Sequence, residues 1–168
     1  GESEMFCLLQ YPVRELEGKT LGIVGAGDLG RGVAKIAQAF GMQVIFAALP
    51  ERNHLDDLPR LALHELLPRV DILSLHCPLT PQTKGLISST ELALMKTSAL
   101  LINAARGPLI DEPALKQALV KSEIAGAGLD VLSAEPPVGG NLLIDNAVPN
   151  LIITPHSAWI AAESRQRL

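Results

Sequence analysis

The chain has 168 residues, 48% of them hydrophobic and 19% charged, with a net charge of -4, which is ordinary for one globular domain with a buried core. No cluster gathers its 14 Lys and Arg residues, which argues against nucleic acid or an anionic membrane as the main partner. No apolar run approaches the roughly 18 residues of a membrane span. Only 3% of residues are aromatic, so the core must be aliphatic, as it is where helices cover a parallel sheet. Cys7 and Cys77 are too few and too far apart for a disulfide framework or a zinc site, and both are expected to be free thiols in a reducing cytoplasm. The opening Gly1-Glu2-Ser3-Glu4 has no signal-peptide character, and a first residue other than Met suggests a fragment or a processed chain.

In chain order, residues 5–11 read as a short apolar helix stopped by Pro12, without an obvious partner in the chain. Leu21, Ile23 and Val24 make a first strand that ends in Gly25-Ala26-Gly27-Asp28-Leu29-Gly30. A helix follows, with Leu29, Val33, Ile36, Ala37 and Phe40 on one face and Gly41 as its stop. Val44, Ile45 and Phe46 form a second strand, residues 61–67 a short helix, and residues 71–75 a third strand. The loop His76-Cys77-Pro78-Leu79-Thr80-Pro81-Gln82-Thr83 is fixed by two prolines. Ser88 and Glu91 have capping-box spacing at the start of the next helix. Residues 98–102 are an almost wholly apolar strand suited to the sheet centre, and Asn103-Ala104-Ala105-Arg106-Gly107-Pro108 is the loop at its end. Asp111 caps a helix that turns Leu115, Ala118 and Leu119 inward. Residues 124–129 make a fifth strand, whose Gly126 and Gly128 suggest close helix contact. After a long loop over 130–150, residues 151–154 make a sixth strand, and Pro155-His156-Ser157-Ala158-Trp159 leads into a last helix.

About six strands alternating with helices predict an α/β fold, a doubly wound parallel sheet in the order 3-2-1-4-5-6 with helices on both faces. The expected division is a helix and linker over 1–19, a dinucleotide-binding domain over 20–156 and the start of a helix over 157–168. Ligands of such sheets sit beyond the carboxyl ends of the strands, which here are followed by Gly25, Ala48, His76, Asn103, Asp130 and His156. In the glycine turn, Gly25 makes the bend, Gly27 admits a pyrophosphate to the unpaired N–H groups and positive dipole end of the helix, and Gly30 lets helix and strand pack closely. Arg106, at a strand end, can hold a carboxylate and polarise a neighbouring carbonyl. His156 belongs to the residue type that exchanges protons near neutrality, and Glu135 can bond an imidazole N–H, favour its protonated form and fix its tautomer. Taken singly, each has a plainer role: a loop arginine paired with a surface acid, a structural histidine beside proline, a solvated glutamate. His54 and His64 read as surface residues, and His76 as a pocket residue.

Five motifs carry a specific resemblance. The glycine turn, His76-Cys77-Pro78-Leu79-Thr80 with Thr83, Asn103-Ala104-Ala105-Arg106-Gly107, Asp130-Val131 with Glu135-Pro136-Pro137, and Thr154-Pro155-His156-Ser157-Ala158-Trp159 occur in this order over nearly the whole chain. In this the sequence resembles the coenzyme-binding (Rossmann) domain of the D-isomer-specific 2-hydroxyacid dehydrogenases, with an ending most similar to the glycerate dehydrogenase and hydroxypyruvate reductase subgroup. The resemblance implies Arg106 as substrate-binding residue, His156 as acid/base and Glu135 as its tuner. It also implies cofactor contacts from Gly25, Gly27, Asp28, Leu29, Gly30, Ala48, Cys77, Pro78, Thr83, Ala104, Arg106, Asp130 and His156. A small 2-oxo acid would be the substrate, a homodimer the assembly and the cytoplasm the location. The family's substrate domain is missing from this chain. A second class stays open, an NAD(H)-sensing binding module of the corepressor type without metabolic turnover. So does the cofactor: Ala48 replaces the usual acidic residue after the second strand and Arg52 lies close behind it, so NAD and NADP both fit.

Overall fold

The computed structural model describes residues 13–50 and 58–166; the expected helix over 5–11, His54 and Arg52 lie outside them. The chain runs β1 (Thr20–Val24), α1 (Asp28–Ala39), β2 (Gln43–Ala47), β3 (Arg60–Leu61), α2 (Leu63–Leu66), β4 (Ile72–Leu75), α3 (Ser89–Leu94), β5 (Leu100–Asn103), α4 (Glu112–Val120), β6 (Gly126–Leu129), β7 (Leu151–Ile153) and α5 (Ala162–Gln166). All seven strands are parallel, in the order β3-β2-β1-β4-β5-β6-β7. The doubly wound expectation therefore holds, with one strand more than the sequence suggests. Two residues, one of them charged, make too little pattern to read as β3, so the expected helix over 61–67 is in fact β3 followed by α2 and a 3-10 turn. The strand expected third, residues 72–75, is fourth and lies beside β1, while β3 takes the edge outside β2.

Local signals formed as expected. The Ser88–Glu91 capping box is present, and Asp111 Oδ1 accepts from the Ala114 N–H at 3.0 Å. Leu115, Ala118 and Leu119 are buried. Apolar residues pack on both faces of the sheet. Leu21, Ile23, Ala34, Ala37, Met42 and Phe46 fill the space under α1, and a larger cluster including Leu66, Leu73, Leu75, Leu101 and Leu115 fills the other face.

The face of α1 turned to the sheet is only partly the one the sequence suggests: Ala37 is buried and Val33 packs against the same cluster, but the larger apolar residues of the expected face turn outward. Gly30, Ala34 and Ala37 are buried, while Leu29, Ile36 and Phe40 are 77%, 61% and 60% exposed. The cause is distance: a Cβ on Gly30 would lie 1.9 Å from the Gly25 carbonyl oxygen and 3.3 Å from Ile23 Cγ2. At that approach only small residues, spaced one and two turns apart, fit under the helix. Gly126 and Gly128 likewise do not face a helix. Their nearest neighbours are Asn150, Leu100 and Ile102, on the adjacent strand and the turn before β7.

The amino edge of the sheet is tied by Asp71, whose carboxylate accepts from the Thr20 N–H and from Lys96 Nζ, both at 2.9 Å. Burial works to raise the Asp71 carboxyl, but the Thr20 amide and the Lys96 ammonium outweigh it and hold it below its ordinary value of 3.8.

Thermal unfolding should separate two glycines of one helix. Gly30→Ala should cost about 1–3 kcal/mol through overpacking, whereas Gly32→Ala, whose Cβ would meet nothing within 4 Å, should leave stability unchanged or raise it by up to about 1 kcal/mol. Asp71→Asn should cost about 1 kcal/mol in denaturant titrations near neutrality, since part of the pair is solvent-screened. Because the folded carboxyl is depressed, that difference is fully present above 3.8 and should shrink as the pH falls through the lower folded value.

Candidate active site

Parallel register puts Ala47, Val24, Leu75, Asn103, Leu129 and Ile153 in one row across the sheet. The residues that follow them therefore leave from one edge. These are Ala48, Gly25, His76, Ala104, Asp130 and Thr154.

The glycine turn lies at the middle of this edge. Gly25 has φ +107°, and a Cβ there would stand 2.6 Å from the backbone of His76, so β1 and the loop after β4 touch through it. The first bond into α1 is Arg31 N–H to the Gly27 carbonyl at 2.9 Å. The N–H groups of Asp28, Leu29 and Gly30 have no partner among the described residues, Gly27 gives no side-chain cap, and a Cβ on Gly27 would meet nothing within 4 Å. Open donors at the positive end of a 12-residue helix, with no side chain over them, fit the phosphates of a dinucleotide. The exposed Asp28, in the first turn, already complements the dipole there. Leu29 beside it is exposed as well.

Around the turn, the loop after β4 is braced by its own side chains. Thr83, 4% exposed, donates its hydroxyl to the Pro78 carbonyl at 2.7 Å and accepts from the Thr80 N–H at 2.8 Å. Its hydroxyl thus shapes the loop, and Pro78 stays exposed. Cys77 is buried, and burial pushes its thiol up to about 11, which favours the neutral thiol near neutrality. His76 Nε2 lies 2.9 Å from Ser74 Oγ, and burial lowers this imidazole below 6.5. Ala48 is half-buried and its N–H is bonded to the Leu61 carbonyl at 2.8 Å.

After β5, the buried Asn103 clamps its own loop. Its Nδ2 donates to the Arg106 carbonyl at 2.9 Å and its Oδ1 accepts from the Ala105 N–H at 3.0 Å. Ala104 and Arg106 are exposed, and Arg106 Nη1 donates to the Ala105 carbonyl at 2.6 Å. The guanidinium is held at the loop with most of its donors unspent among the described residues. The next residue fixes where this loop sits: a Cβ on Gly107 would lie 2.0 Å from the Leu132 carbonyl carbon, so the Arg106 segment presses directly on the segment before Glu135.

Glu135 and His156 meet. His156 Nδ1 and Glu135 Oε2 are 2.8 Å apart, and Glu135 Oε1 accepts from the Leu132 N–H at 2.8 Å. With Nδ1 facing the carboxylate, Nε2 has no partner among the described residues and is the ring atom available to a ligand. His156 holds a left-handed backbone, φ +50°, which non-glycine residues adopt only under outside constraint. Asp130 supplies that constraint. Its carbonyl accepts from the His156 N–H at 2.9 Å, and its carboxylate accepts from the Ser157 and Ala158 N–H groups at 2.8 Å and from the Thr154 hydroxyl. Burial works to raise the Asp130 carboxyl, yet the bonds from Thr154, Ala158 and Ser157 hold it below its ordinary value.

Two of the three residues expected to carry the chemistry are thus in contact, and Arg106 stands on the neighbouring strand end, outside their hydrogen bonds. Sequence reasoning placed Asn103 and Gly107 in a strand-end motif without giving either a role, and passed over the buried Glu112. Nothing in the spacing of Asn103 announces a clamp. Among the described residues no three His, Cys, Asp or Glu side chains are grouped to hold a metal, and no helix is long and apolar enough to cross a membrane.

Several known proteins are similar to this chain over nearly its whole length. Glycerate dehydrogenase of Methylorubrum extorquens is 48% identical over 169 aligned positions, covering 100% of this chain and 52% of that protein. An acyclic imino acid reductase solved with NADPH and D-Arg superposes with a TM-score of 0.82 at 36% identity, covering 99% of this chain and 52% of its own. A D-lactate dehydrogenase of Lactobacillus jensenii solved with NAD+ gives 0.80 at 36% identity, covering 95% and 52%. The chain spans about half the length of the curated relatives it matches. The family model for the D-isomer specific 2-hydroxyacid dehydrogenase, NAD binding domain, matches residues 6–158, and the chain belongs to that family.

Proposed function

We propose that this chain is the coenzyme half of an oxidoreductase that reduces a small 2-oxo acid, of the hydroxypyruvate or glyoxylate type, to the D-2-hydroxy acid. One observation carries the reading: the imidazole bonded to Glu135 presents Nε2 at the same sheet edge as the open glycine turn. A reduced nicotinamide dinucleotide, when bound, supplies hydride to C2 of the substrate. The chain's own residues do the rest. The N–H groups of residues 28–30 receive the phosphates. Protonated His156 gives the Nε2 proton to the carbonyl oxygen, and Glu135, bonded at Nδ1, holds the ring in orientation and stabilises its charge. Arg106 binds the substrate carboxylate and offsets charge developing on the carbonyl oxygen.

Ala48 puts no carboxylate directly after β2, so at that described position nothing repels a 2′-phosphate, and the reading admits NAD or NADP. Structures of relatives with NADPH and with NAD+ support both. The substrate domain that the family resemblance implies, outside this chain, would close the cleft and exclude water. A homodimer is part of the same proposal, for which light scattering of the full-length protein is the check.

Titration of the chain with NADH and with NADPH, followed by quenching of Trp159, is expected to saturate for at least one, and the ratio of dissociation constants reads the cofactor choice. A folded chain that binds neither overturns the cofactor reading unless the full-length protein restores binding. In the full-length protein His156→Gln should lower kcat for hydroxypyruvate or glyoxylate reduction by about 10²–10⁴-fold while leaving NADH affinity nearly unchanged. Binding without turnover by the wild-type protein would instead favour a dinucleotide-sensing module.

A further inference from the structure

Glu112 is the first residue of α4 and is 6% exposed, an unusual position for a carboxylate. It forms no ion pair among the described residues. Instead its Oε1 accepts from the Ser133 N–H at 2.7 Å and its Oε2 accepts from Asn141 Nδ2 at 2.9 Å. The Asn141 amide cannot turn over to change this, because its Oδ1 is taken by the Leu143 N–H at 2.8 Å. Both neighbours of Glu112 are therefore donors, and two acceptor atoms are needed between them.

The residue before Ser133 is Leu132, whose N–H goes to Glu135 Oε1 at 2.8 Å. Consecutive amides are thus held by Glu135 on one side and Glu112 on the other. The same two residues press on Gly107. Glu112 stands six residues after Arg106 in the chain and reaches across to the loop that carries Glu135.

We infer that Glu112 and Asn141 are positioning residues, a buried acceptor–donor bracket that fixes the Glu135 carboxylate against His156 and sets the Glu135 loop relative to Arg106. The inference rests on the proposed 2-oxo acid reduction for its catalytic consequence, though the bracket itself does not. No ligand enters its geometry.

The pair can be inverted, which gives a test that simple destabilisation does not mimic. Glu112→Gln places an amide N–H₂ against a donor, and Asn141→Asp places two carboxylates side by side. In Glu112→Gln with Asn141→Asp together, the new amide donates to the new carboxylate, Ser133 keeps an acceptor, and the net charge is that of the wild type. In the full-length protein, well below its unfolding temperature, each single variant should lower kcat for 2-oxo acid reduction about tenfold, change the NADH dissociation constant by less than about twofold and alter the pH profile of kcat. The double variant should recover to within about threefold of wild type. Hydrogen exchange at the Leu132 amide should quicken in the single variants and return in the double one.

Unchanged kcat and Leu132 exchange in both single variants overturns the inference. So does failure of the double variant to recover, or a loss of kcat matched by an equal loss of NADH affinity. If the wild-type protein reduces no 2-oxo acid, the functional reading fails by itself, and the Leu132 exchange in the three variants still decides whether the bracket holds the Glu135 loop.

Discussion

Parallel register across the sheet is the constraint on which the site depends. Because Val24, Leu75, Asn103, Leu129 and Ile153 stand in one row, every loop that bears chemistry begins at the same height and on the same edge. Residues far apart in the chain, from Gly25 to His156, need only short loops to face one another. A slip of one residue in any pairing would displace its loop along the strand and turn its side chains to the other face. The site is therefore as precise as the hydrogen-bond ladder beneath it.

Buried polar side chains carry that precision from the strands into the loops. Asn103 closes the Arg106 loop, Asp130 collects donors from Thr154, Ser157 and Ala158, and Glu112 reaches Ser133 and Asn141. In each case an acceptor or amide satisfies backbone groups that irregular segments would otherwise leave unpaired, a cost of about 1–3 kcal/mol apiece when buried. No buried side-chain nitrogen or oxygen among the described residues lacks a partner. The long stretch between β6 and β7 contains no helix or strand, so these bonds stand in for a ladder. They also force the left-handed backbone of His156, a cost the local network must offset.

Close backbone approaches complete the arrangement. Gly30 brings α1 onto the bend at Gly25, which aims the helix's unpaired N–H groups over the sheet edge. Gly107 brings the Arg106 loop onto Leu132, the residue whose amide holds Glu135. One contact shapes the turn proposed to receive the dinucleotide, and the other links the groups proposed to bind and protonate the substrate. The core beneath is aliphatic on both faces, with Phe46 its only buried aromatic side chain among the described residues.

Short-range chemistry encodes the part of this structure that residues and spacing reveal. The glycine turn between strand and helix, the Ser88–Glu91 capping box, the Asp111 cap and the order of the strand-end motifs are all settled within a few residues, and so were legible. The Glu135–His156 pair was legible through family resemblance, since the two lie 21 residues apart and nothing local joins them. Packing between distant segments settles the rest. The strand β3 exists because β2 offers it an edge, the buried face of α1 is chosen by the closeness of Gly30 to Gly25, and Asp130 and Glu112 became braces. Glu112 reads in sequence as one more acid in a helix's first turn. Its partners lie 21 and 29 residues away, and a bond across that distance is fixed by packing, which no local pattern specifies.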